Sequence, residues 1–179
     1  MEVKELIAAC LRRDRMSEKL LYERYVTVMT RLCQRYLKND AEVQDVLIDG
    51  FIKVFDKLKT FEYRGEQSLE IWIRKIMINE CLMRLRKSNP LVLIDEEKQE
   101  ELVQPAHNGP EAKEIIRLIH LLPPGYRTII NLYVIDGYSH KEISHFLGIT
   151  ESASRSQLTH ARNKLKELLK IHGWNGMIN

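Results

Sequence analysis

Apolar positions in the first ninety residues recur with the period of an α-helix. Between residues 21 and 37 they fall at the spacing of a helix with one buried face, and the pattern returns over 43–58 and 69–85. Asp40 is the predicted N-cap of the second helix and Ser68 that of the third. With a weaker segment over 3–12, the pattern predicts four helices around one core. Their apolar positions include Leu21, Tyr25, Val28, Met29, Leu32, Cys33, Tyr36, Leu37, Val43, Val46, Leu47, Phe51, Val54, Phe55, Leu58, Leu69, Trp72, Ile73, Ile76, Met77 and Leu85.

Residues 88–110 interrupt this periodicity with three prolines and a glycine. Such a composition is typical of a linker. A helix is expected to restart at Pro110 or Glu111, because proline is tolerated in a first turn. Pro123 and Pro124 should end it. Another helix is predicted over 126–134, with Gly137 as a left-handed cap.

The segment that follows predicts a helix, a three-residue turn and a second helix. Ser139 and Glu142 have the spacing of a capping box, so a helix should begin at residue 140. Gly148 suits a sharp turn, and Thr150 can cap the next helix. The predicted inner positions of the two helices are Ile143, Phe146, Leu147, Ala153, Leu158, Ala161, Leu165, Leu168 and Leu169. This is a helix-turn-helix pattern.

Together these elements predict an all-α protein. Two small helical domains, 1–90 and 111–179, would be joined by an acidic linker over 91–110, with the helix-turn-helix in the C-terminal domain. The chain is 44% apolar and 30% charged, a globular composition, and no apolar run approaches the ~20 residues of a membrane span. The N-terminus lacks the apolar stretch of a secretory signal, so we expect a cytoplasmic protein.

Charge is distributed in blocks along the chain. Residues 1–90 carry 18 Lys and Arg against 14 Asp and Glu, residues 91–114 carry 2 against 7, and residues 115–179 carry 8 against 4. Such blocks are often solvated faces. Cys10, Cys33 and Cys81 have no CxxC spacing, so we expect reduced thiols that are mostly buried, with neither a disulfide nor a zinc site.

The last long helix has a polar outer face with little acidic charge. Hydroxyls and arginines reach phosphates and base edges in a major groove, and arginine pairs well with guanine. A solvated helix in a small bundle would show a similar composition, so DNA binding is a hypothesis at this point. The polar positions are Ser152, Arg155, Ser156, Thr159, His160 and Arg162.

Three stretches in order give the chain a resemblance to a known family. They are "DAEVQDVLIDGFIKVFDKLKTF", "WIRKIMINECLMRLRK" and "LPPGYRTIINLYVIDGYSHKEISHFLGITESASRSQLTHARNKL". Over about residues 17–172 the chain resembles bacterial RNA polymerase sigma factors of the extracytoplasmic-function group. The resemblance implies a transcription initiation factor that binds core RNA polymerase and promoter DNA, performs no covalent chemistry and needs no cofactor or metal.

The resemblance also implies three sets of site residues. Docking on the polymerase clamp falls to Asp45, Asp49 and Phe51, although Ile48 stands where the family usually has glutamine. The loop 61–67 matches the one that receives a base flipped from the minus-10 element. The minus-10 candidates are Tyr63, Arg64, Trp72, Lys75, Asn79, Arg84 and Arg86. The minus-35 candidates are Arg155, Ser156, Gln157, Thr159, His160 and Arg162, while Ser154 stands where a buried valine is common.

Sigma factors of this group are usually held by an anti-sigma factor, often membrane-tethered, and the resemblance implies such a partner. The acidic linker could occupy a basic channel of the polymerase.

Two other classes of protein are alternatives to this interpretation. A transcriptional regulator with a C-terminal helix-turn-helix would bind its operator without polymerase. A metal-dependent helical hydrolase is disfavoured, because the six histidines include no HExxH motif and there is no glycine-rich phosphate loop.

Overall fold

The computed structural model describes residues 2–88 and 112–173, and within these ranges every regular element is a helix. The chain divides into two compact units, residues 1–84 and 85–179. The prediction of an all-α protein is confirmed, whereas the predicted linker lies outside the described residues. The α-helices are α1 (Val3–Leu11), α2 (Arg15–Tyr36), α3 (Asp40–Lys57), α4 (Ser68–Ser88), α5 (Ala112–Leu121), α6 (Pro124–Ile130), α7 (His140–Leu147) and α8 (Glu151–Ile171).

The first unit buries the apolar faces of α1 to α4 in one core. Leu21 and Met29 of α2, Leu47 of α3 and Met77 of α4 all belong to it, and each is at most 1% exposed. The three thiols are part of this core: Cys10, Cys33 and Cys81 are buried and unbridged, as predicted. Burial and nearby carboxylates raise the pKa of Cys10 to about 11.

A glycine lets α3 and α4 approach each other closely. A Cβ built on Gly50 would lie 2.4 Å from Met77 Sδ, well inside van der Waals contact. One turn further along both helices, Lys53 Nζ forms an ion pair with Glu80 Oε2 at 2.6 Å. Glu80 is only 8% exposed, so this cation neutralises a carboxylate that has left bulk water. The two contacts fix the position of α4 along α3.

The ends of these helices differ slightly from the sequence predictions. α3 is capped by Asn39, whose Oδ1 accepts from Ala41 N–H at 2.8 Å, so the predicted cap Asp40 is the first helical residue. Ser68 likewise lies inside α4. Its hydroxyl accepts from Arg64 N–H at 3.1 Å and donates to the Gly65 carbonyl at 2.6 Å. Ser68 therefore closes the loop before α4.

The second unit packs α5 to α8 around Ile129, Leu132, Ile143 and Leu158. Pro124 begins α6, and a π-helical turn, Asn131–Ile135, continues it. Arg127 is 3% exposed and donates to the His120 carbonyl at 3.1 Å. Burial lowers the pKa of this guanidinium to about 10.

A few predicted core positions are less buried than the pattern indicated. Val28 of α2 is exposed, which corrects its assignment to the inner face. Residues at the edge of an apolar stripe are half-covered because neighbouring helices meet only its centre. The half-buried positions are Phe55, Trp72, Ile76, Phe146, Ala153, Leu165 and Leu169.

Candidate nucleic-acid and polymerase interfaces

Three local signals build the helix-turn-helix of the second unit. Ser139 and Glu142 form the predicted capping box at the start of α7, with Ser139 N–H donating to Glu142 Oε2 at 2.9 Å. Gly148 ends α7 at φ +69°, a left-handed conformation that favours glycine. Thr150 Oγ1 then accepts from Ala153 N–H at 3.0 Å and starts α8. The short turn and the two caps orient α8 against α7.

Most of the predicted minus-35 residues lie on the exposed face of α8. Arg155 is held by Glu151 one turn earlier, with Nη2 3.1 Å from Oε2. Thr159 Oγ1 donates to the Arg155 carbonyl at 3.1 Å. The His160 ring stacks on Tyr126 with centroids 6.4 Å apart. The exposed members of the set are Arg155, Ser156, Thr159, His160 and Arg162.

Gln157 departs from this arrangement. It is 8% exposed and lies on the inner side of α8, next to the buried Leu158 and Ala161. A side chain buried in the core of the unit cannot contact a base without repacking. The structure therefore removes Gln157 from the surface that the other five residues form.

The first unit contains a cavity of about 890 Å³ between the loop 61–67 and the start of α4. Gly65, at φ +117°, turns the loop over it. The Trp72 ring packs against Phe61 with centroids 5.1 Å apart and lines the wall, and Lys75 adds a cation. This volume is enough for one nucleobase, because pockets that bind small molecules have volumes of about 300 Å³ or more. The lining residues that matter here are Phe61, Arg64, Gln67, Trp72 and Lys75.

The remaining minus-10 candidates are distributed around this cavity and along α4. Tyr63 is 38% exposed on the loop. Arg64 pairs with Glu62 at 2.7 Å, and both side chains face solvent. Asn79 is half-buried two turns beyond Trp72, and Arg86 is exposed at the end of α4. Tyr63, Asn79 and Arg86 do not line the cavity.

Arg84 belongs to a different contact. Its Nη2 lies 2.8 Å from Asp45 Oδ2 and its Nε 3.2 Å from Glu42 Oε1, so it links α4 to α3. The hydrogen bond to Glu42 and the charge of Asp45 raise the pKa of this guanidinium. Arg84, a candidate for DNA binding, and Asp45, a candidate for polymerase binding, thus form an ion pair within one unit. Arg84 is therefore engaged within the unit, and its role as a minus-10 contact stays a prediction.

The outer face of α3 carries the predicted polymerase contacts, with one exception. Asp45 and Asp49 are exposed. Phe51 is 3% exposed, and its ring meets Tyr22 edge-on with centroids 4.8 Å apart, so it belongs to the core. Ile48 and Ile52, which the motif did not single out as contacts, are 58% and 54% exposed beside the two aspartates. In the sequence they lie one turn apart and outside the buried stripe of α3.

The described residues give no sign of metal or membrane chemistry. In residues 2–88 and 112–173 no three His, Cys, Asp or Glu side chains come together in a way that could hold a metal ion. No helix in the same ranges has the length and apolar character to cross a membrane.

Comparison with known proteins identifies both units. The family model for sigma-70 region 2 matches residues 21–90, and that for sigma-70 region 4 matches residues 112–165. The sigma factor SigM of Mycobacterium tuberculosis H37Rv, an ECF factor, is 25% identical over 165 residues, covering 92% of this chain and 83% of that protein. The ECF sigma-E factor of Escherichia coli K12 is 28% identical over 176 residues, covering 88% and 91%.

Solved structures share the fold. RpoE of Bartonella quintana, in complex with the anti-sigma factor NepR, is 22% identical with a TM-score of 0.56, covering 86% of this chain and 96% of that chain. CnrH, in complex with the cytosolic domain of CnrY, is 22% identical with a TM-score of 0.52, covering 92% and 95%. The two family models together span more than half of the chain, in the order that the sequence motifs predicted. This chain belongs to the extracytoplasmic-function group of RNA polymerase sigma factors and is a transcription initiation factor that directs the polymerase to promoters.

Proposed function

We propose that three surfaces of this sigma factor bind different partners. The exposed face of α8 recognises the minus-35 element, the cavity beside the loop 61–67 holds a base unstacked from the minus-10 element, and the outer face of α3 binds core polymerase. The observation that carries the proposal is the cavity itself, which has an aromatic wall and is lined by Arg64 and Lys75 as well as by Glu62 and Glu66. Holding an extruded base without ATP requires such a stacking surface.

The minus-35 part of the proposal rests on the side chains of α8. Arg155 has the donors for a guanine edge, and Ser156 and Thr159 have hydroxyls that suit phosphates or bases. Glu151 holds Arg155 in the free protein at 3.1 Å. An exposed i, i+4 pair is worth only about 0.3–0.5 kcal/mol, so DNA can displace it.

Polymerase binding is assigned to a mixed acidic and apolar patch on α3. Asp49 supplies exposed charge, and Ile48 and Ile52 supply apolar area beside it. We also propose that an anti-sigma factor binds this chain, as one is solved with RpoE of B. quintana. The same patch suits such a partner, because Ile48 and Ile52 are exposed there. The proposed role needs no covalent chemistry, and it places the protein in the cytoplasm, where polymerase and chromosome lie.

The test of the cavity uses the holoenzyme and a promoter with a fluorescent base analogue in the minus-10 element. Trp72→Ala should reduce the fluorescence rise on duplex DNA, because the extruded base loses its stacking surface. A template that is already mismatched across the element should restore the signal. Met83→Ala is the matched control, since Met83 is 54% exposed on α4 and does not line the cavity.

Two outcomes would contradict the proposal. If Trp72→Ala opens duplex and mismatched templates like the unaltered chain, the cavity does not hold the base. If the unaltered chain binds promoter DNA tightly and specifically without core polymerase, the roles proposed for the three surfaces are wrong.

A further inference from the structure

A buried hydroxyl joins the two helices of the helix-turn-helix. Ser154, in the first turn of α8, is 0% exposed. Its Oγ lies 2.8 Å from Nδ1 of His140, the first residue of α7. A buried hydroxyl without a partner would be costly, so His140 satisfies a group that Ser154 places in the core. The contact fixes α8 against the start of α7.

The His140 ring is itself part of a stack that returns to α8. It lies on Tyr133, with ring centroids 4.5 Å apart and planes 24° from parallel. The guanidinium carbon of Arg162 lies 5.8 Å from the centroid of the same tyrosine ring, which is within cation–π range. His140 and Tyr133 therefore connect two residues of α8, Ser154 and Arg162, which are eight residues or about 12 Å apart along the helix.

The electrostatics of this cluster favour a neutral imidazole. Burial lowers the pKa of His140, and the cations of Arg155 and Arg162 lower it further, while Glu151 opposes them. A neutral ring next to Tyr133 adds no repulsion to the guanidinium of Arg162. Arg162 is exposed beyond the ring and can reach outward.

We propose that Tyr133 and His140 are positioning residues that hold the Arg162 guanidinium in place for a phosphate of the promoter. The inference rests on the proposed minus-35 role of α8 and deepens it. A free arginine side chain loses much rotamer freedom when it is fixed on a ligand, and a side chain already held over a ring loses less. Arg162 thus makes a sequence-independent contact that sets the register of α8 on the duplex.

The experiment measures promoter affinity of the holoenzyme across a range of salt concentrations. Arg162→Ala should reduce the slope of log affinity against log salt by about one, as loss of one phosphate contact does. Tyr133→Leu should give the same change in slope and a two- to fivefold loss of affinity, about what an exposed cation–π contact is worth. Combining Tyr133→Leu with Arg162→Ala should add nothing further.

Two controls separate positioning from stability. Tyr133→Phe keeps the ring and should behave like the unaltered chain. Tyr138→Leu removes another aromatic contact of the same unit, with Phe146 at 5.0 Å, and should leave the slope unchanged even if it lowers the melting temperature.

The inference is overturned if Arg162→Ala leaves the slope unchanged. This holds whatever Tyr133→Leu does to folding, because Arg162 is exposed. It is also overturned if Tyr133→Leu leaves the slope unchanged while Arg162→Ala lowers it, or if the effects of the two variants multiply. In each of these cases the proposed function stands as long as the unaltered chain directs polymerase to the promoter. If the unaltered chain does not do so, both the inference and the proposed function are wrong.

Discussion

The close approach of α3 and α4 at Gly50 predicts that Gly50→Ala changes the free energy of unfolding in opposite directions depending on the residue at position 77. Gly50→Ala places a Cβ 2.4 Å from Met77 Sδ and 2.8 Å from Met77 Cε. Both atoms are at the flexible end of the side chain, but Met77 is 0% exposed, so its tail can move only by repacking the core. Overpacking of this kind costs about 1–3 kcal/mol.

A second effect of the same substitution acts in the opposite direction. Alanine in a helix interior is more favourable than glycine by about 1 kcal/mol. The net change for Gly50→Ala should therefore lie between zero and about 2 kcal/mol of destabilisation. In a Met77→Ala chain the clash is absent and only the helix term remains, so the same substitution should stabilise by about 1 kcal/mol.

Urea unfolding of the full chain provides the assay. With Trp174→Phe, the remaining tryptophan fluorescence comes from Trp72, which packs on Phe61 with ring centroids 5.1 Å apart and reports on the first unit. Gln44→Ala, at an exposed position of α3, should change little in either background. If Gly50→Ala destabilises the chain by the same amount with methionine or alanine at position 77, the contact with Met77 is not the cause.

Three further predictions concern the proposed surfaces. Arg155→Ala should weaken binding to a minus-35 element by about 1–3 kcal/mol if it pairs with a guanine, with affinity for core polymerase unchanged, as titrations with each would show. Asp49→Lys should lower affinity for core polymerase in a fluorescence titration while the melting temperature stays constant, and an unchanged dissociation constant would contradict the assignment. The lowered pKa of His140 means that folding favours its neutral form. The contribution of His140 to stability should be complete above the pKa of the unfolded state, about 6.5, and should be lost as the pH falls through the pKa of the folded state. The difference in urea midpoint between the unaltered chain and His140→Asn should therefore become smaller toward acid pH.

Helix positions and caps could be predicted from the sequence because they depend on neighbouring residues. The Ser139 capping box, the left-handed Gly148 and the Thr150 cap are local signals, and each was found where it was predicted. The start of α3 differed by one residue, since Asn39 and Asp40 are both good caps. The extended backbone of Asn39, at φ −91° and ψ 122°, decides between them.

Contacts between helices could not be predicted in this way. Arg84 pairs with Asp45 because α3 and α4 lie side by side, and residues 39 positions apart leave no periodic signal of that. Phe51 carried two predictions: the periodic pattern assigned it to the core and the motif assigned it to polymerase docking, and its burial agrees with the pattern. Gln157 was assigned by its place in the motif alone, which does not say which side of the helix meets the core. A serine at a buried position requires a polar partner, so Ser154 indicates a contact of the kind it makes with His140, although the sequence does not identify that partner.

The burial of the three native thiols has a practical consequence for labelling. Cys10, Cys33 and Cys81 are at most 3% exposed, and the pKa of Cys10 and that of Cys81 are raised, so few thiolates form near neutral pH. A maleimide or a disulfide-forming nucleotide should therefore react far faster with one cysteine introduced on the surface than with the native three. Ser152→Cys, exposed on α8 but outside the proposed minus-35 contacts, would give a probe for crosslinking to defined promoter positions.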